Sequence, residues 1–169
     1  MSQSELVLDN YENNNEKLVI FFHRSSYLSN FYKCDFIIDG IKFTSTEQYF
    51  HYKKAIIFKD EESAKQILST NNPMKQKLYG RKVKQFNYKM WNEISYSIMK
   101  QGLYAKFTQN SKLYKKLQLL KRVRFVEASP HDIKWGAGID RYHPNITSPS
   151  KWPGKNLLGN CLSDIKNLI

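Results

Sequence analysis

FTSTEQYFHYKKAIIF, Phe43–Phe58, is where the chain changes from strand character to helix character. Thr44-Ser45-Thr46-Glu47-Gln48 contains two overlapping capping boxes, Thr44 with Glu47 and Ser45 with Gln48, at the head of a helix reaching about Phe58. In helical spacing Glu47, His51, Lys54 and Phe58 fall close to one stripe, and Phe50, Ala55 and Ile56 on another. A carboxylate, an imidazole and an ammonium on one face can be a solvated charge ladder, or they can line a pocket.

Upstream, Leu18–Phe22 reads as a short buried strand, and Cys34–Ile38, Asp39-Gly40 and Ile41–Phe43 as a hairpin with a two-residue turn. The polar, aromatic segment HRSSYLSNFYK between them is a candidate binding loop. Residues 1–17 are expected to be a polar tail, disordered or loosely docked. Downstream, helical patterns follow in succession. Asp60 is expected to cap a helix through Leu68, and a short helix runs from Met74 to a C-terminal glycine at Gly80. A long helix spans roughly Lys89 to Phe107, Ser111 caps the next, and an amphipathic helix carries Leu158, Leu162, Ile165 and Leu168. Arg122–Val126 alternates as a strand. It leads into ASPHDIKWGAG, Ala128–Gly138, where Ser129 as N-cap, Pro130 at the first position and Asp132 at the third spell a short helix start. The expected fold is mainly α with a small β-sheet, in a single compact domain over 18–169.

With 169 residues the chain can bury a core without staples. Cys34 and Cys161 stand far apart, which suits neither a disulfide framework nor a zinc site, and the four histidines lack metal-ligand spacing. No cofactor and no metal is expected. No apolar run approaches a membrane span, and the N-terminus is unlike a signal peptide, so an intracellular protein, cytoplasmic or nuclear, with no membrane or obligate protein partner is expected. Lys and Arg number 27 against 15 Asp and Glu, a net charge of +12, which favours anionic partners such as phosphates and nucleic acid. Phosphate-loop, dinucleotide, HExxH and GxSxG signatures are all missing.

What remains is acids beside aromatics: Glu47 and Asp132, with Trp91, Trp135 and Trp152. Two carboxylates with flat aromatic walls suit cleavage of a glycosidic bond, one protonating the leaving group and the other stabilising an oxocarbenium-like centre or activating water. The same residues can equally be two helix caps and three core tryptophans.

Several segments in order, Ser29-Asn30-Phe31-Tyr32, Phe43–Phe50 with Lys54-Ala55, Gly80-Arg81, Trp91, Ala105-Lys106-Phe107 with Gln109-Asn110, Glu127–Gly138, and Trp152 with Gly154–Asn156, Leu158 and Gly159, resemble the YbiA-like NADAR family from Phe21 to Ile165. The resemblance implies a mainly helical fold and N-glycosidase chemistry on ribosylated bases. Bacterial members act on phosphoribosylamino pyrimidine intermediates of riboflavin synthesis, and others remove ADP-ribose from guanine in nucleic acid. The family's motif acids fall on Glu47 and Asp132. Lys33 departs from a common proline, and His131 fills a variable position.

With that chemistry, Glu47 and Asp132 are the expected catalytic acids, one stabilising charge at C1′ and the other positioning water or protonating the base. Lys54 is expected to meet phosphate or keep an acid ionised, with nucleophilic attack a less favoured role. Trp91 and Trp135 are candidates to hold the base, Asn30 and Asn156 to bond ribose or base edges, and Arg24 and Arg81 to grip phosphates. The expected substrate is ADP-ribosylated guanine in nucleic acid. A phosphorylated nucleoside-like small molecule such as a riboflavin intermediate, or binding of ADP-ribose or nucleic acid without turnover, are the alternatives.

Overall fold

The computed structural model of the chain describes residues 4–9 and 16–169. Among them lie five strands, β1 Glu5–Leu8, β2 Lys17–Phe21, β3 Phe36–Ile38, β4 Ile41–Phe43 and β5 Val123–Glu127. Six helices complete the framework: α1 Thr46–Ile57, α2 Glu61–Leu68, α3 Pro73–Arg81, α4 Tyr88–Thr108, α5 Ser111–Leu119 and α6 Leu157–Leu168. The fold is thus mainly helical with small sheets, as the periodicities require. Two packing units divide the chain, one from the residues up to Ser29 together with Lys115–Ile169, the other from Asn30–Tyr114.

In the first unit the sheet order is β1-β2-β5, with β1 antiparallel and β5 parallel to β2. The central strand β2 is buried from Leu18 to Phe21, which explains its unbroken apolar run. Leu18 and Ile20 pack with Val126, Ala128, Ala137, Ile139 and Ile146, and Leu8 and Trp152 flank that core. Within the expected N-terminal tail the structure corrects the reading. Glu5–Leu8 pairs with β2 from Glu5↔Phe21 to Leu8↔Leu18, covering an edge that would otherwise present unpaired backbone groups. The rest of that tail at 1–3 and 10–15 lies outside the described residues.

In the second unit β3 and β4 form the hairpin, and Asp39 and Gly40 both take positive φ (51° and 76°), as a type I′ turn demands. Gln109, just past α4, both donates to the Ile37 carbonyl and accepts from its N–H at 2.8 Å, extending the hairpin edge with a side-chain amide. Ser45 caps α1 by accepting from the Gln48 N–H. The Gln48 side chain turns back to the Thr44 N–H and donates to the carbonyls of Ile67 and Thr70. The Thr44–Glu47 box is not made, so Glu47 is released from capping. Asp60 caps α2 as its position predicts, accepting from Ser63 and from the Lys84 N–H. These bonds, Lys84's first, hold its carboxyl below the ordinary carboxylate range.

Gly80 is not the end of its helix. α3 continues to Arg81, and an added Cβ at Gly80 would meet the His51 ring at 2.0 Å, so close helix approach, not capping, explains the glycine. Gly102 plays the same part where α4 crosses α1, with the buried Tyr49 ring 2.6 Å from a Cβ there. Alanine in a helix interior ordinarily adds about 1 kcal/mol over glycine. For Gly102→Ala we expect the opposite sign, a loss of about 1–3 kcal/mol from overpacking, read from the midpoint of urea unfolding.

Candidate active site

In the second unit the polar stripe of α1 is buried. Glu47 is 5% exposed, His51 7% and Lys54 8%, so the solvated-ladder reading is excluded. Glu47 Oε1 lies 3.0 Å from His51 Nε2, one helical turn away. A neutral ring would donate from Nε2 and leave Nδ1 as an acceptor; that buried Nδ1 has no hydrogen-bond partner among the described residues. It faces Gly80, whose missing Cβ makes the room. Lys54 Nζ donates to the Gly80 carbonyl at 2.9 Å and sits 4.0 Å above the Phe86 ring. The glycine at position 80 therefore serves both basic side chains. Asn30 stands beside this row: its carbonyl accepts from the Glu47 N–H at 3.1 Å, and its buried side-chain Oδ1 lacks a partner among the described residues. Buried polar atoms without partners are uncommon and call for a ligand, water or strain to account for them. Arg81 follows Gly80 and is exposed.

Trp91 is corrected. It is 5% exposed and packs against Phe50 and Phe58, with ring centroids 5.0 and 6.3 Å away, so it is a core side chain without an open stacking face. Lys106, unassigned by the sequence reading, is fully buried in α4. Its ammonium lies 5.5 Å from the Tyr32 ring centre and 5.3 Å from that of Phe107. Burial pulls its pKa down to about 8, with the Cys34 side chain opposing the shift. The signal was present: Lys106 follows Met99 and Leu103 on an apolar helical stripe, where a charge breaks the pattern.

In the first unit ASPHDIKWGAG does not start a helix. Residues 129–136 form turns, and Asp132 Oδ1 accepts from the N–H groups of Lys134 (3.0 Å) and Trp135 (2.7 Å). Asp132 is half-buried, as is Trp135, whose ring lies 5.5 Å from the Lys134 ammonium. The turn is laced to the residues that open α6. Gly154 donates to Ala137, Lys155 to Ile133, Asn156 to Gly136, Leu157 to Lys134 and Leu158 to Trp135, at 2.8–3.2 Å. A Cβ at Gly154 would lie 2.3 Å from the Gly136 carbonyl oxygen, and one at Gly136 only 2.9 Å from that of Asp132. Gly154 thus permits the close approach of the two segments and Gly136 the tightness of the turn itself, and together they fix the Asp132 loop.

Asn156 is corrected as well. It is 3% exposed in the left-handed region (φ 51°), its Oδ1 accepting from Glu127 N–H at 3.1 Å and its Nδ2 donating to the Phe125 carbonyl at 2.8 Å. Both amide atoms are spent on the backbone of β5, leaving it a clamp. Arg24 is exposed in the loop after β2. A cavity of about 500 Å3 opens where β2 and β5 end, lined by Phe22, His23, Ser25, Ala128, Arg141 and Tyr142 among others. Phe22 and Tyr142 are exposed aromatics there. His23 belongs to the candidate binding loop, but Phe22, expected in the buried strand, lies past its end and is exposed, and Arg141 and Tyr142 escaped the sequence reading because exposure of a loop side chain has no periodic signature.

A NADAR domain family model matches residues 15–169, and the chain belongs to the NADAR domain family. It is 38% identical to N-glycosidase R617 of Acanthamoeba polyphaga mimivirus, over 74% of each chain. It is 33% identical to Protein irg-1 of Caenorhabditis elegans, covering 92% of this chain and 81% of that protein. The NMR structure of the E. coli protein YbiA shares the fold, with a TM-score of 0.74 at 24% identity, covering 99% of this chain and 89% of that one.

Two outcomes follow from these local geometries. Asn156→Gly keeps the left-handed backbone but strands buried groups of β5, so unfolding free energy should fall by about 1–3 kcal/mol in denaturant titration. For Lys106 the folded pKa of about 8 lies below the ordinary 10.5. Between those values the unfolded chain binds the extra proton, so this site's contribution to stability rises with pH across that window. Compared with Lys106→Met, the wild-type chain should gain relative stability between about pH 8 and pH 10; a flat difference would contradict the buried ammonium.

Proposed function

We propose that the chain is an N-glycosidase that hydrolyses the bond between ribose C1′ and a base, acting on ADP-ribosylated guanine in nucleic acid. The observation carrying this reading is the buried row of Glu47, His51 and Lys54, ionisable groups kept out of water beside the partnerless Asn30 Oδ1. Family membership and the name of the mimivirus relative support it.

Hydrolysis adds water across the C1′–N bond: the hydroxyl goes to C1′, and the base departs with the proton. On this reading Glu47 handles the proton, because a carboxylate hydrogen-bonded to an imidazole can both activate water and return a proton to the leaving base. Asp132 takes the electrostatic role at C1′. Its Oδ1 accepts from two backbone N–H groups, which fix the direction of the carboxylate. Lys54, tethered to the Gly80 carbonyl, holds the site's positive charge beside phosphate. Asn30 Oδ1 offers an acceptor to a ribose hydroxyl or base N–H, while the buried Trp91 offers no stacking surface and Trp135 remains the candidate for one. Arg24 and Arg81, both exposed, are assigned to phosphates. The charge of +12 favours a polyanionic substrate over a small metabolite.

The test gives purified protein an ADP-ribosylated guanine oligonucleotide and a phosphoribosylamino pyrimidine in parallel, with released base and sugar read by mass spectrometry. Release from the oligonucleotide is expected. Release from the pyrimidine alone would reassign the substrate, and release from neither would leave a binding module. Glu47→Gln preserves shape and Asp132→Asn preserves volume; each should cut turnover by about 10²–10⁴-fold with little change in melting temperature. A variant that unfolds more easily yet turns over fully would make that acid structural.

A further inference from the structure

A second concave surface lies in the first unit at the opposite end of β5 from the Asp132 loop. It is a groove of about 430 Å3 whose cationic lining comes from Arg122, Arg124 and Lys166. Strand and helix periods build it. Arg124 lies in β5 and Arg122 in the turn that enters it, and both line the groove, while Ser163, Lys166 and Asn167 recur at three- and four-residue spacing on α6, away from its buried Leu158, Leu162 and Ile165. Three cations face one acid, Glu16, which stands 3.8 Å from Arg124 Nε in a long ion pair. Among the described residues no aromatic side chain lines the groove, which presents charge and hydrogen-bonding groups.

Arg122 sits in the turn that enters β5. Its φ is +49°, a left-handed conformation that disfavours residues with a Cβ and suits glycine. The turn is fixed by the Lys17 N–H donating to the Arg122 carbonyl at 2.7 Å. A glycine at this position would keep the backbone conformation and remove only the cation from the groove.

We propose that this groove binds the phosphodiester backbone of a nucleic-acid strand, anchoring it some distance from the reacting base. Guanidinium groups give bidentate contacts to phosphate oxygens, and the Ser163 and Asn167 side chains add neutral partners. The groove flanks the start of β5 and the Asp132 loop follows its end, a separation of about 13 Å along the strand. Binding there is indifferent to base sequence and falls with salt. The proposal names an anchoring surface for the substrate class given above and rests on that reading.

The test is fluorescence anisotropy of an unmodified single-stranded oligonucleotide titrated with the full chain across a salt series. Arg122→Gly and Lys166→Gln should each weaken binding at low salt several-fold and reduce the slope of log affinity against log salt by about 0.7. Arg122→Gly should at the same time leave the melting temperature equal or raised, which separates lost contact from lost folding. Wild-type affinity and slope in both variants would overturn the groove. So would complete displacement of the variant-sensitive binding by millimolar inorganic phosphate at constant ionic strength, which would make it a small-phosphate site. Turnover of an ADP-ribosylated guanosine that carries no strand should be unchanged in both variants. If no substrate is turned over while the variants still lose oligonucleotide affinity, the glycosidase reading fails and the groove stands; turnover with undiminished variant binding gives the reverse.

Discussion

Backbone pairing between residues 133–137 and 154–158 is the constraint from which most of the first unit follows. Its rungs satisfy the N–H groups at the head of α6 with carbonyls of the Asp132 loop, and they require two peptide planes closer than any side chain allows. That is why position 154 is a glycine, whereas Gly136 makes room for the Asp132 carbonyl and the Ser129 side chain of its own turn. Asn156 then fastens the paired segments to β5, taking a left-handed backbone to aim both amide atoms at the strand. A loop that would otherwise move is tied at both flanks, and its carboxylate is held by the turn it closes.

The second unit reaches a comparable rigidity through helices. α1 presents an acid, an imidazole and an ammonium toward α3, and a single glycine opposite them gives the imidazole its space and the ammonium its carbonyl. Burying such groups is unfavourable unless they are bonded or functionally required. Glu47 and Lys54 have partners within the chain, while His51 Nδ1 and Asn30 Oδ1 lack them among the described residues. Stability alone would have filled this interface with apolar side chains, as the Tyr49 ring does against Gly102 one face away.

Much of this was legible from residue patterns. Periodicity located α1, α2, α4, α6, β2 and β5, and the Asp-Gly pair located the hairpin, because each depends on local geometry repeated over several residues. The N-terminal strand was missed because a four-residue edge strand exists only through its neighbour. The helix expected at Ser129 gave way to turns because the Asp132 carboxylate serves N–H groups two and three residues on, an alternative that capping signals do not distinguish. Trp91 and Asn156 were named for plausible chemistry and Gly80 as a helix end, and they proved to be a core side chain, a backbone clamp and a steric vacancy. In each case the residue type was informative and its direction was not.

Composition and order by themselves determined the charge, the helical character, the two acids and the family to which the chain belongs. Tertiary structure decided which polar residues are enclosed, which glycines mark contacts between segments, and that Arg122 and Arg124 join α6 in one groove. The reason is that spacing along the chain fixes only which side chains share a face, whereas burial, orphaned atoms and close backbone approach arise between segments distant in sequence.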